Sequence, residues 1–265
     1  MNSAPVIFFD SGVGGLPYYA LARQRLPGER FIYVADRLHY PYGEKSLDRI
    51  REDVLETFRL IMDRFAPKLA VIACNTASVA ALDRLRRAFP IPFVGVVPAV
   101  KPAAAFTRNK RIGVLATPQT VKNDYLDGLI RNFADGCAVV RIAAPALRDF
   151  VERDLFTAAP AARERVLEET AAAVREAGPD VLVLGCTHYL HVDRELQEKL
   201  GVAVTVIDSR EGVVNQLERV LARGDLRAGD AGGAGVMYLT GPGPAEERYQ
   251  RFAERFGLEM AGTLP

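Results

Sequence analysis

A chain of 265 residues with 34 Lys and Arg against 33 Asp and Glu carries a formal charge of +1, and without a long basic run it offers nothing to a nucleic-acid backbone or an anionic membrane surface. That length exceeds a typical single domain, so two modest lobes are expected rather than one large core. Three cysteines cannot all pair within one chain, and their spacing suits neither a disulfide framework nor a metal knuckle, which points to a reducing cytoplasm; Met1 to Pro5 shows no charged n-region or apolar h-region and no apolar stretch reaches membrane-spanning length, so neither secretion nor membrane insertion is expected.

Val6 to Phe9 reads as a short buried strand that delivers the loop Asp10-Ser11-Gly12-Val13-Gly14-Gly15-Leu16, ahead of an amphipathic stretch from Tyr18 to Leu26. The glycines lack the Gly-x-Gly-x-x-Gly spacing and no Gly-Lys-Ser/Thr follows, which leaves nucleotide binding a minor alternative. Asp10-Ser11 reads plainly as a capping turn; the functional reading adds a carboxylate and bare amides facing a site. Phe31 to Ala35 is the next strand, ending at Asp36, and Tyr40-Pro41-Tyr42-Gly43-Glu44-Lys45-Ser46 turns into a charged helix from Leu47 to Phe65. Alone, that turn is structural; its place after a strand end makes it a candidate for a site role.

Leu69 to Cys74 is an apolar run that stops at a thiol, and Asn75, Thr76 and Ser78 offer capping oxygens before a helix from Val79 to Phe89. A strand within Pro90 to Pro98 follows, and Pro98 to Pro102 reads as the crossing into a second lobe. There Arg111 to Ala116 is a strand ending in Thr117-Pro118-Gln119-Thr120, followed by helix Asn123 to Phe133, strand Ala138 to Ile142 and a segment from Pro145 to Phe156 that carries Glu152. Cys137, at the start of a strand, reads as an inert packed thiol. Glu152 on its own reads as an exposed helix glutamate.

Pro179 to His188 then repeats Pro67 to Thr76 without a gap, with Cys186 standing where Cys74 stands. The match continues through Leu82 to Ala88 against Arg194 to Leu200 and into Phe93 to Val97 against Thr205 to Ser209, which implies pseudo-twofold symmetry. Helix Gly212 to Ala222, a Gly- and Ala-rich loop from Gly224 to Gly235, strand Val236 to Thr240 and helix Ala245 to Phe256 return to the first lobe. The expected division is 1–97 with 210–265 as one α/β lobe and 98–209 as the other. Each lobe is a mainly parallel sheet flanked by helices, with the site in the cleft between them.

Either cysteine alone reads best as a buried apolar thiol; the repeat reverses that. In parallel α/β sheets ligands bind at strand carboxyl ends, where crossover loops and helix N-termini converge, and amide dipoles there favour a thiolate. Two thiols approaching one molecule from opposite sides suit inversion of a stereocentre. A zinc site at Cys186, His188 and His191 is the other option, but no fourth ligand is grouped with them.

Phe9-Asp-Ser-Gly-Val-Gly-Gly-Leu16, Pro41-Tyr-Gly-Glu-Lys-Ser46, Ala73-Cys-Asn-Thr-Ala-Ser78 and Gly185-Cys-Thr-His-Tyr189 resemble the motifs of glutamate racemases, in order and over nearly the whole chain. Pro-Tyr-Gly with Cys-Thr-His-Tyr separates them from aspartate and hydantoin racemases. The resemblance implies a cofactor-independent, two-lobed α/β enzyme that interconverts L- and D-glutamate and supplies D-glutamate for bacterial peptidoglycan. Carried over position by position, it makes Cys74 and Cys186 the acid/base pair and Asp10, His188 and Glu152 their assistants. Substrate contacts fall to Asp10, Ser11, Tyr42, Gly43, Asn75, Thr76, Thr187 and His188.

The chain departs from the family at Arg148-Asp149, where Val-Pro is usual, at Pro17-Tyr18 and at Leu190-His191. No lysine stands at an equivalent strand end for a Schiff base, so neither cofactor nor metal is expected. The partner is a small molecule, not nucleic acid or membrane, and a homodimer is left open. The rival readings are a racemase of aspartate or a hydantoin, and a catalytically silent two-lobed binding protein.

Overall fold

The computed structural model describes residues 2–121, 124–229 and 232–265. They fall into two compact units, the residues up to Val96 together with Arg210–Pro265, and Val97–Ser209. The first unit opens with β1 (Val6–Asp10), α1 (Leu16–Arg25), β2 (Phe31–Ala35), α2 (Leu47–Phe65), β3 (Leu69–Ile72), α3 (Asn75–Ala88) and β4 (Phe93–Gly95). The second unit holds α4 (Val100–Phe106), β5 (Arg111–Ala116), α5 (Pro118–Val121), α6 (Asp124–Phe133), β6 (Ala138–Ala143) and α7 (Pro145–Asp149), then α8 (Pro160–Ala177), β7 (Val181–Leu184), α9 (Asp193–Leu200) and β8 (Thr205–Ile207). The chain re-enters the first unit with α10 (Arg210–Arg223), β9 (Gly235–Thr240), α11 (Glu247–Phe256) and β10 (Leu258–Leu264).

Every strand pair is parallel, in the orders β10-β9-β2-β1-β3-β4 and β6-β5-β7-β8. In each sheet the chain begins inside, adds a strand on one side and then crosses to the other. The direction of winding therefore reverses between β1 and β3 and again between β5 and β7, and such reversals leave a crevice at the strand carboxyl ends. Phe9 pairs with Ile72 in the first sheet and Leu115 with Leu184 in the second. Two residues further on, Ser11 and Cys74 leave the first crevice edge, and Thr117 and Cys186 leave the second.

Strands β1, β2, β3 and β7 are buried at every position, and their residues are almost all apolar because both faces are covered. Ile7 and Phe9 of β1 join a core built with α2 and α3, where the Phe9 ring meets Phe58 edge-on at 5.1 Å, while Phe8 turns the other way against Tyr19 of α1 at 6.0 Å. Removing each such ring from water contributes roughly 1.5–3 kcal/mol. Helix α2 is started by Ser46, whose hydroxyl accepts Arg49 N at 3.3 Å, and Ile50, Val54, Phe58 and Ile61 form its buried stripe.

Some elements differ from the sequence reading. Helix α3 begins at Asn75 rather than Val79, because the sulfur of Cys74 accepts Ala77 N and so caps it. Ser78, expected as a cap, instead donates to Ile72 O and accepts Val96 N, each at 3.0 Å, which pins β3 to the exit of β4. The residues after Cys186 form a 3-10 turn, Thr187–His191, before α9 starts at Asp193, so the two repeats part company directly after their cysteines. Edge strand β10 was not anticipated: only its end residues Leu258 and Leu264 are buried, so it lacks an alternating pattern. Asn123, the expected start of α6, and Asp230 and Ala231 of the Gly-rich loop lie outside the described residues. Among the described residues no helix is long and apolar enough to cross a membrane.

Candidate active site

In the first unit, Cys74 is the N-cap of a 14-residue helix and is 5% exposed. Its Sγ lies 3.5 Å from Ala77 N and 3.8 Å from Ser11 Oγ. Amides at a helix N-terminus favour the thiolate over the thiol. Fully buried Asp10 ends β1, and its Oδ1 accepts Gly12 N at 2.7 Å, folding the loop back on itself. Tyr33 of β2 staples the same loop, donating to Gly12 O at 2.9 Å and accepting Gly15 N at 3.1 Å. With two of its amides engaged in this way, the loop is no open phosphate cradle. A side chain at position 15 would bring its Cβ to 2.7 Å from that of Ala73, so only glycine lets this loop pass the end of β3.

Asn75 and Thr76 follow in the first turn of α3, both buried. Asn75 is 2% exposed, and among the described residues neither its amide oxygen nor its amide nitrogen finds a hydrogen-bond partner. Leaving two buried polar atoms unmade costs about 1–3 kcal/mol each, a cost that a ligand bearing both a donor and an acceptor would relieve. Tyr42 and Gly43 lie in a short 3-10 turn, Tyr42–Glu44, and are buried. Tyr42 shares the apolar cluster that contains Cys74, but its hydroxyl is given to Asp36. The proton of the phenol is thereby engaged within the protein. Tyr33 and Asp36 were missed in the sequence because each lies in or just past a strand that reads as core.

In the second unit Cys186, also 5% exposed, follows Gly185, which sits close against the neighbouring strand: a Cβ there would stand 3.1 Å from that of Ala116 and 3.2 Å from Leu115 O. The 3-10 turn brings His188 back so that its Nδ1 lies 3.9 Å from Cys186 Sγ, while Nε2 lies 2.9 Å from Glu152 Oε2. Glu152, 1% exposed, comes from a π-helical turn, Phe150–Asp154, a distortion common at functional sites. Burial would depress the His188 pKa, but hydrogen bonds and charge from Cys186 and Glu152 outweigh it and hold the imidazole well above its ordinary range. Tyr189 anchors the turn through its hydroxyl, 2.8 Å from Ala144 O, and Thr187 is buried beside it.

Two of the residues that depart from the family pattern pair with each other. Arg148 is buried, and its guanidinium donates twice to the adjacent Asp149 Oδ1, at 2.9 and 2.8 Å, so the two unusual residues compensate each other. His191 is buried in the 3-10 turn. Among the described residues no three His, Cys, Asp or Glu side chains group as a metal site. The two cysteines thus share a position at equivalent strand ends but not an environment: Cys74 has a helix N-terminus and a hydroxyl, Cys186 an imidazole backed by a carboxylate.

A family model for Asp/Glu/Hydantoin racemase matches residues 19–217. The glutamate racemase of Treponema pallidum is 40% identical over 259 residues, covering 97% of this chain and 95% of that one. That of Pseudomonas paraeruginosa is 46% identical over 248 residues, 92% of this chain and 91% of that one. The crystal structure of Escherichia coli glutamate racemase, in complex with L-glutamate and the activator UDP-MurNAc-ala, superposes with a TM-score of 0.86 at 36% identity over 98% of each chain. A thiol at each winding reversal and this likeness over almost the full length agree: the chain belongs to the Asp/Glu/Hydantoin racemase family, among its glutamate racemases.

Proposed function

We propose that the chain interconverts L- and D-glutamate without a cofactor, and that Cys74 and Cys186 act on the two faces of one α-carbon. The observation that supports this best is the pair of thiols at equivalent strand ends, each with its own polar assistants. One cysteine takes the α-proton as thiolate while the other delivers a proton as thiol, and the roles exchange in the reverse reaction. The α-hydrogen is very weakly acidic, so the carbanionic transition state needs stabilisation by fixed dipoles and charges. Asp10 favours the α-ammonium, which eases deprotonation at the neighbouring carbon. The Glu152–His188 pair serves Cys186, and Ser11, Asn75, Thr76, Thr187 and the Tyr42–Gly43 backbone hold the substrate. The reaction supplies D-glutamate for peptidoglycan in a reducing cytoplasm, where both thiols stay reduced.

Glutamate should be turned over far faster than aspartate, because donors placed for a distal carboxylate are left unsatisfied by the shorter acid. Comparable kcat/KM values for the two would favour the rival assignment to another small acid. Turnover is also expected to survive exhaustive chelation and to need no added pyridoxal phosphate.

Asn75 gives a second test. Asn75→Ala should raise the KM for glutamate about tenfold or more, the equivalent of one good hydrogen bond. The same change should leave the empty protein as stable as before or more so, since it removes two unsatisfied buried atoms and improves helix propensity. A lower melting temperature with unchanged KM would mean that Asn75 serves the fold.

A further inference from the structure

A buried carboxylate that the proposed reaction does not use sits behind the Tyr42–Gly43 turn. Asp36 is fully buried one residue past the end of β2. Thr240 Oγ1, at the end of β9, donates to Asp36 Oδ1 at 2.6 Å, the Tyr42 hydroxyl donates to Oδ2, His39 Nδ1 stands 2.9 Å away and Thr57 Oγ1 3.4 Å away. The Thr240 hydroxyl also accepts Leu38 N at 3.0 Å, so one side chain holds both the carboxylate and the backbone leading into the turn. Arg37 fastens the same place. Its guanidinium donates to the carbonyls of Thr240, Gly241, Pro242 and Pro244 and to the Glu246 carboxylate, using all its N–H groups. Burial and the Asp36 charge keep the Tyr42 phenol protonated, hence a donor.

We propose that Thr240 is a positioning residue for the Cys74 half of the site, acting through Asp36 on the Tyr42–Gly43 turn; this rests on reading that turn as part of the glutamate site. A buried carboxylate keeps its geometry only while its donors are in place, and an amide left without an acceptor is equally costly. Removing the Thr240 hydroxyl takes a donor from Asp36 and an acceptor from Leu38 together. The turn that shares a cluster with Cys74 then loses its fixed position, although Thr240 itself is distant in sequence from both.

The test compares Thr240→Val, which keeps the shape and loses the hydroxyl, with Thr240→Ser, which keeps the hydroxyl. In substrate-free protein, the iodoacetamide alkylation rates of Cys74 and Cys186 are read by peptide mapping, Cys186 serving as the internal reference. Thr240→Val should raise the Cys74 to Cys186 ratio several-fold and raise the KM for glutamate about tenfold with a smaller change in kcat. Thr240→Ser should restore both. Combined with Tyr42→Phe, the valine effects should not add, because both changes cut one relay. An unchanged alkylation ratio in a folded valine variant, or a serine variant as impaired as the valine one, overturns the proposal. If the valine variant does not fold, Tyr42→Phe is read by the same ratio. A wild-type protein that alkylates as expected but does not racemise glutamate would instead overturn the substrate reading.

Discussion

Cys74→Ala and Cys186→Ala are each expected to lower the conversion of L- to D-glutamate by on the order of 10²–10⁴-fold. Each thiol stands at the carboxyl end of a central strand, 5% exposed, where its sheet reverses winding. Deleting one leaves one face of the α-carbon without its sulfur acid or base; at the first strand end Ser11 Oγ, near Cys74, is far too weak a base to replace it. The double alanine variant should be scarcely worse than either single one, since groups that act as a unit do not contribute additively. Melting temperatures should change by no more than about 4 °C, as expected when a small side chain is trimmed in a chain of this size. Alkylation of the wild type should abolish turnover, and bound glutamate should slow it. Turnover that persists after peptide mapping shows both cysteines alkylated would refute thiol chemistry.

His188→Asn is the second large effect. Racemisation has an equilibrium constant of one, so the two kcat/KM values must stay equal. Any asymmetry between the two kcat values must therefore be matched by the same asymmetry between the two KM values. We expect kcat in the direction served by the Cys186–His188 contact to fall about 10²-fold, with the other direction less affected. Wild-type rates in both directions would remove His188 from the mechanism.

The same substitution has a signature in stability. The native imidazole binds its proton more tightly than the unfolded one, held by Cys186 and Glu152 against the opposing effect of burial. Its contribution is therefore complete below the unfolded pKa of about 6.5 and is lost as pH rises through the raised native value. The variant also removes the imidazole from the buried Glu152–His188 pair, a loss of roughly 3–5 kcal/mol where the pair is charged. The melting-temperature gap between wild type and variant should thus be widest in mildly acidic buffer and narrow as pH rises. A gap that widens with pH would mean the imidazole is neutral in the folded protein.

The strand-and-thiol repeat was legible because strands covered on both faces leave uninterrupted apolar runs, and Cys74 and Cys186 mark where those runs stop. The segments just after the two cysteines were less legible. Cys74 caps a helix whereas Cys186 enters a 3-10 turn, and that turn is what brings His188 toward the sulfur and onto Glu152. Glu152 alone looked like a surface glutamate, because a π-turn that buries it leaves no mark in hydrophobic periodicity. The tie from Thr240 to Asp36 was beyond reach for another reason. It exists because β9 lies beside β2, and the sequence does not encode strand order across so long a separation.

The measurement closest to the two-thiol mechanism is racemisation of L-glutamate in deuterated water, sampled early. With a separate base on each face, the proton taken from L-glutamate stays on one sulfur while the other, exchanged with solvent, protonates the opposite face. Early D-glutamate should then carry deuterium at the α-carbon while recovered L-glutamate stays almost unlabelled. Deuterium entering recovered L-glutamate as fast as product forms, or product that keeps the original hydrogen, would mean that one base serves both faces.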